Sequence, residues 1–107
     1  MVTGKELSPV TRHSLLDMVQ AHIYVHGRVQ GVSFRYYVRK RAAALALKGY
    51  VRNLADGRVE ILARGSRERL DSLIDYVKNN PGLSFVVKLD IDWEEPLGDL
   101  DDFHIRF

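Results

Sequence analysis

Residues 21–35 read Ala21-His22-Ile23-Tyr24-Val25-His26-Gly27-Arg28-Val29-Gln30-Gly31-Val32-Ser33-Phe34-Arg35, and this stretch decides the fold. Ala21, Ile23 and Val25 alternate with His22, Tyr24 and His26, the period of a strand buried on one face. Gly27 and Gly31 then break the pattern, and Phe34, Val38, Ala42 and Leu45 recur at helical spacing to about Leu47, where Gly49 punctuates the end. A strand, a glycine loop and a helix N-terminus in this order let consecutive backbone N–H groups converge on an anion. Arg35 stands at the right distance to add a fixed positive charge to the same anion. The candidate anion-binding residues are therefore Gly27, Arg28, Val29, Gln30, Gly31, Val32, Ser33 and Phe34, with Arg35 beside them.

The elements that follow complete one domain. Tyr50 to Leu54 reads as a short strand, Ala55-Asp56-Gly57 as a hairpin turn, and Val59, Ile61 and Ala63 as the inward positions of the returning strand. Ser66 is a candidate N-cap for a second helix with Leu70, Leu73, Ile74 and Val77 on its apolar face. Asn79-Asn80-Pro81-Gly82 ends that helix. Leu83, Phe85, Val87, Leu89, Ile91 and Trp93 alternate over a long strand, and Phe103 to Phe107 form a last one. The order β-α-β-β-α-β plus a terminal strand predicts an α+β protein, a ferredoxin-like split βαβ sandwich whose antiparallel sheet carries both helices on one face. This superfold hosts many functions, so function has to be argued from the site.

Upstream, residues 1–19 read as an N-terminal extension to a domain spanning 20–107. Ser8-Pro9 could open a short helix with Val10, Leu15, Met18 and Val19 as a ragged apolar stripe, and a flexible segment is the other expectation. Lys5 and Glu6 with no apolar run after them predict no secretory signal. No apolar stretch approaches the ~20 residues of a membrane span, so no membrane partner is expected. With no cysteine in the chain, disulfides, thiolate catalysis and cysteine-type zinc sites are excluded, and a cytoplasmic location is expected.

Net charge is only +2, but it is unevenly placed. Residues 28–69 hold eleven Lys or Arg against three acids, whereas residues 90–102 hold seven acids and no base. The basic half contains the glycine loop, and its field favours anionic ligands. The acidic stretch lacks the ligand spacing of a calcium loop and reads as a solvated edge. His22 and His26 lie four residues apart on one strand, not at a compact metal-pair spacing, and His13 and His104 are remote in sequence, so no metal is expected. His26 is placed at the pocket entrance.

Familiar phosphate motifs do not fit. A Walker A loop needs Lys and Ser/Thr after its last glycine, where Val32 and Ser33 follow Gly31 here, and the dinucleotide fingerprint GxGxxG is absent. Lys48-Gly49-Tyr50-Val51 echoes the start of an RNA-recognition RNP1 motif, but Arg52, Asn53 and Leu54 follow where base-stacking aromatics belong, so no nucleic-acid partner is expected. The run Val25 to Arg35 instead resembles the signature of the acylphosphatase family, [LIV]-x-G-x-V-Q-G-V-x-[FM]-R, at every specified position. Gly49-Tyr50-Val51-Arg52-Asn53 with Gly57, Val59 and Gly65 matches that family's second signature, and the resemblance covers Ala21 to Phe107.

The resemblance implies hydrolysis of the carboxyl-phosphate bond of acyl phosphates to a carboxylate and inorganic phosphate, without metal or cofactor. An acyl phosphate has a good carboxylate leaving group, so its hydrolysis needs mainly a positioned water and stabilised charge on the phosphoryl oxygens. The matching arginine, Arg35, is implied to bind the phosphate and the matching asparagine, Asn53, to position the water; an amide both donates and accepts, which suits a neutral water. Asn53 is expected on a strand beside the one that feeds the loop. Gln30 and Ser33 are expected to support the loop through local hydrogen bonds, and Ser33 has no evident base to make it a nucleophile. A small site that reads mostly the phosphoryl group predicts a small-molecule substrate of broad acyl specificity and a monomer. The competing reading is a non-catalytic phosphate- or anion-binding regulatory module.

Overall fold

The alternation of residues 21–26 is the foundation of the sheet. In the computed structural model, which describes residues 17–107, β1 (Met18–Arg28) buries Ala21, Ile23 and Val25 fully and leaves His22, Tyr24 and His26 on the opposite face. The elements α1 (Phe34–Ala44), β2 (Lys48–Asn53), β3 (Val59–Ser66), α2 (Arg67–Lys78), β4 (Phe85–Glu94) and β5 (His104–Arg106) follow. The five strands lie in the order β4-β1-β3-β2-β5. The Ser8-Pro9 helix falls outside the described residues. Met18 and Val19, read as part of the extension, belong to β1 and pair with Ser66 and Gly65 of β3.

Both helices pack on one face. Phe34, Val38 and Ala42 of α1 and Leu70, Leu73 and Val77 of α2 share one core cluster with Ala21, Ile23, Val51 and Ile61 of the sheet. Burying each large aliphatic or aromatic side chain of this set contributes about 1.5–3 kcal/mol relative to leaving it in water. Ser66 caps α2 as expected, its Oγ accepting from the Arg69 N–H at 3.3 Å.

Four expectations need correction. The sheet is mixed, because β5 runs parallel to β2 while β1, β3, β4 and β2 pair antiparallel. The reason is connectivity. β4 ends at the far edge of the sheet, and residues 95–103 carry the chain back before β5 joins β2 in the same direction. Helix α1 ends at Ala44, not near Leu47, and the residue that stops it is Ala46 at φ 57°. Leu47 N–H donates to Ala42 O at 2.9 Å and Ala46 N–H to Ala43 O at 3.0 Å, which is a Schellman closure with alanine where glycine is usual. Gly49 lies inside β2.

In β4, the alternation fails at its start. Phe85 and Val87 were expected inward and are 61% and 68% exposed, whereas Val86 packs on the core. The cause is a bulge. His26 pairs with Lys88 and Gly27 with Val86, leaving Val87 unmatched and flipping the faces before it. Gly27 makes the bulge possible, since at φ 134° a Cβ there would collide with the carbonyl oxygen of Phe85 and the amide of Val87. Finally, β1 and β2 are not neighbours; β3 lies between them, so Asn53 sits two strands from the loop.

Candidate active site

Because β1, β2 and β5 point the same way, their C-terminal ends meet at one end of the sheet. β1 delivers the glycine loop there, β2 ends in Asn53, and β5 brings Ile105 and Arg106. A cavity of about 340 Å³ opens at this end, lined by Val29, Gly31, Ser33, Phe34 and Arg35 from the loop and helix start, together with Tyr36, Asn53 and Ile105.

The loop backbone is shaped for an anion. Gly31 has φ 76° and Ser33 φ 60°, ψ 21°, so two left-handed residues alternate with others just before α1. Such alternation turns successive N–H groups toward one point. The first N–H groups of α1, from Phe34 onward, have no intrahelical acceptor and carry the positive end of the helix dipole. Gly31 meets this conformation without cost, whereas Ser33 holds it with no side-chain capping bond. The local hydrogen bond expected of Ser33 is thus replaced by a backbone role.

Gln30 also departs from its expected part. Its Nε2 donates to Leu54 O at 2.8 Å and to Arg58 O at 2.9 Å, so it ties the loop to the β2–β3 hairpin and not to its own neighbours. Both carbonyls flank the turn immediately after Asn53, so the loop and the asparagine are held in one frame.

Arg35 leans on the last strand. Its guanidinium is centred 4.8 Å from the Phe107 ring, and Nη1 lies 3.4 Å from Arg106 O, a long and weak hydrogen bond. Among the described residues no carboxylate pairs with it. Its charge therefore remains available to an anion in the cavity. Asn53 contributes the complementary feature: its Oδ1 is buried and has no hydrogen-bond partner. A buried amide oxygen without a protein partner is uncommon and singles Asn53 out among the residues at this end of the sheet.

Of the residues expected to bind the anion, Val29, Gly31, Ser33 and Phe34 line the cavity with Arg35 and Asn53. Gly27 and Arg28 lie in β1, paired with Val86 and Phe85. Gln30 acts through its tether, and Val32 packs partly against the core. Tyr36, Ile105 and the stacking Phe107 were missed. Tyr36 had a signal, an aromatic directly after Arg35 with no core position to fill; Ile105 in β5 and Phe107 just after it depend on a parallel pairing the sequence does not announce.

Away from the cavity, the helix-free face carries a polar network. Glu60 is only 4% exposed and accepts from His22 Nε2 at 2.6 Å and Arg52 Nε at 2.5 Å. Burial pushes its carboxyl up, but these two hydrogen bonds and the adjoining charges outweigh burial and hold it below the ordinary range. His22 Nδ1 faces Glu94 at 3.2 Å, and His26 Nε2 bonds Asp90 at 2.8 Å, so His26 belongs to this face and does not line the cavity. The acidic stretch is thus partly paired with β1. Among the described residues no group of three or more His, Asp or Glu side chains converges as a metal site.

Comparison with known proteins identifies relatives of this chain. A family model described as Acylphosphatase matches residues 21–105. A protein of Chloroflexus aurantiacus named acylphosphatase is 47% identical over 83 residues, covering 78% of this chain and 90% of the relative. The crystal structure of acylphosphatase from Bacillus subtilis superposes with a TM-score of 0.80 at 42% identity, covering 83% of this chain and 99% of that one. Full-length HypF in a phosphate- and nucleotide-bound form gives a TM-score of 0.74 at 28% identity, with 84% of this chain matched to 12% of that one.

Proposed function

The chain belongs to the acylphosphatase family, and from that premise we propose how it hydrolyses acyl phosphates. The loop of residues 29–34 and Arg35 hold the phosphoryl group, and Asn53 holds the water. The N–H groups of the loop and the bidentate guanidinium bind the phosphoryl oxygens where charge concentrates in the transition state. The water oxygen attacks phosphorus in line with the bond to the acyl oxygen. That bond breaks, the carboxylate departs with the electron pair, and the water proton passes to a phosphate oxygen. The products are a carboxylate and inorganic phosphate.

The observation that supports this arrangement best is that Asn53 and Arg35 line one cavity, with no protein group bonded to Asn53 Oδ1. An acceptor at that point takes a hydrogen bond from water and turns the oxygen lone pair toward phosphorus. The substrate is a small acyl phosphate. A metal-independent reaction, a monomer with its catalytic domain beginning near residue 20, a cytoplasmic location and no nucleic-acid partner complete the proposal; among the described residues no helix is long and apolar enough to cross a membrane.

The test is benzoyl phosphate hydrolysis, followed by ultraviolet absorbance with EDTA present. Arg35→Ala and Asn53→Ala are each expected to lower kcat/KM by about 10²–10³ or more while remaining folded. An inactive wild type that still binds inorganic phosphate would return the chain to the anion-binding module. Loss of activity on adding EDTA would end the metal-independent reading.

A further inference from the structure

The β1–β3 ladder ends at Val25 and Val59, just short of the two parts of the site, and beyond it His26, Gly27 and Arg28 pair with β4. The phosphate loop and the hairpin tip that follows Asn53 therefore have to be aligned by side chains. No residue from Leu54 to Arg58 belongs to the core cluster, so packing does not fix the tip either. The tip is closed on itself, Leu54 N–H donating to Arg58 O at 2.9 Å and Gly57 N–H to Leu54 O at 3.2 Å. Gln30 supplies one link from the loop to these carbonyls.

Arg58 supplies a second link, on the helix-free face. Its guanidinium is centred 4.8 Å from the ring of Tyr24, a residue of β1. Its Nε donates to Asp56 Oδ2 at 2.8 Å and its backbone N–H to Asp56 Oδ1 at 3.1 Å, which fastens the side chain to its own turn. Tyr24 is in turn held by His22, with ring centroids 4.9 Å apart, planes at 24°, and the hydroxyl 3.1 Å from His22 Nε2. The strand that feeds the phosphate loop thus grips the hairpin through a cation on an aromatic face. Neither Tyr24 nor Arg58 lines the cavity.

Resting on the hydrolase reading above, we infer that Arg58, clamped between Asp56 and Tyr24, is a positioning residue that sets where Asn53 holds the attacking water relative to the phosphate loop. It touches no reacting atom and acts through the turn that begins at Leu54, directly after Asn53. The clamp joins the hairpin to β1 and leaves the loop N–H groups and Arg35 alone. Its loss therefore displaces the water and spares the phosphate, a change in rate and not in affinity.

The experiment measures kcat and KM for benzoyl phosphate and competitive inhibition by inorganic phosphate, with thermal unfolding alongside, in the wild type and in Arg58→Ala, Tyr24→Leu and Tyr24→Phe. Arg58→Ala and Tyr24→Leu should each lower kcat by about fivefold, with KM and phosphate inhibition within about twofold of the wild type. The two together should lose no more than either alone, because both remove one clamp. Tyr24→Phe should keep the wild-type kcat, since attraction to the ring face needs no hydroxyl. In an Asn53→Ala background Arg58→Ala should cost nothing further, because no water holder is left to place. A further loss in that background, a raised KM or a weakened phosphate inhibition would show that Arg58 acts on the anion instead and would overturn the inference. A lowered melting temperature with unchanged kcat would reduce the clamp to a structural bond, overturning the inference and leaving the hydrolase reading intact. A wild type that does not hydrolyse benzoyl phosphate would overturn both.

Discussion

Gln30 and Leu54 are 24 positions apart in the chain, yet the Gln30 amide donates to the Leu54 carbonyl at 2.8 Å. The same amide nitrogen donates to Arg58 O at 2.9 Å. One side chain therefore bridges the two parts of the site that β3 keeps apart. Replacing Gln30 by Ala removes one donor from each carbonyl, which keep only their backbone partners Gly57 N–H and Leu54 N–H, and frees the loop from the hairpin. Stability should fall by about 1–2 kcal/mol in urea unfolding. Activity on benzoyl phosphate should fall by about tenfold or more, since a misplaced catalytic group loses rate steeply.

Asn53 carries the opposite balance. Its Oδ1 accepts no hydrogen bond from another protein group, so removing the amide breaks no such bond in the fold. Asn53→Ala should therefore leave thermal stability unchanged or raise it slightly, while hydrolysis collapses. A marked drop in the melting temperature would mean that the amide is a structural bond and not a water holder.

Glu60 sets an acid limit. Its folded carboxyl lies below its ordinary value of 4.5, because the hydrogen bonds of His22 and Arg52 outweigh burial. A depressed carboxyl contributes stability above its unfolded value and loses that contribution as pH falls through the folded one. Wild-type stability should thus decline below about pH 4.5, in the range where the unfolded carboxyl takes its proton first. Glu60→Gln should be less stable at pH 7 and should show a flatter decline on acidification, measured by chemical unfolding at several pH values.

Ala46 offers a stabilising change. It holds φ 57° to close α1, a conformation that costs an alanine about 1 kcal/mol or more. Ala46→Gly should gain about 0.5–1 kcal/mol after the added freedom of glycine in the unfolded chain is deducted, visible as a rise of a few degrees in the melting temperature.

The element order and the inward faces of β1, β3 and α2 were legible because their periods are clean over several residues, as in Ala21-Ile23-Val25 and Leu70-Leu73-Ile74-Val77. Arg35, Asn53 and the loop were legible because two long motifs mark them. What escaped depends on pairing at a distance. The alternation through Phe85 and Val87 gave no sign of the bulge, since it is created by the partner strand at Gly27. The end of α1 hid behind an alanine in a glycine position. Phe107 reaches Arg35 only because β5 lies parallel to β2, and Gln30 finds its acceptors only once the hairpin is folded.

The bulge at Val87 also shapes the open edge of the sheet. β4 is an edge of the sheet, ten residues long, and its outer side offers free peptide groups that could seed the growth of an aggregate. Its two portions are defended differently. Where Phe85 and Val87 expose apolar surface, the unmatched residue breaks the spacing a new strand would have to follow. Where the spacing is regular, Lys88, Asp90, Asp92 and Glu94 present charge. The sticky part of the edge is irregular and the regular part is charged, two features that disfavour the addition of a sixth strand.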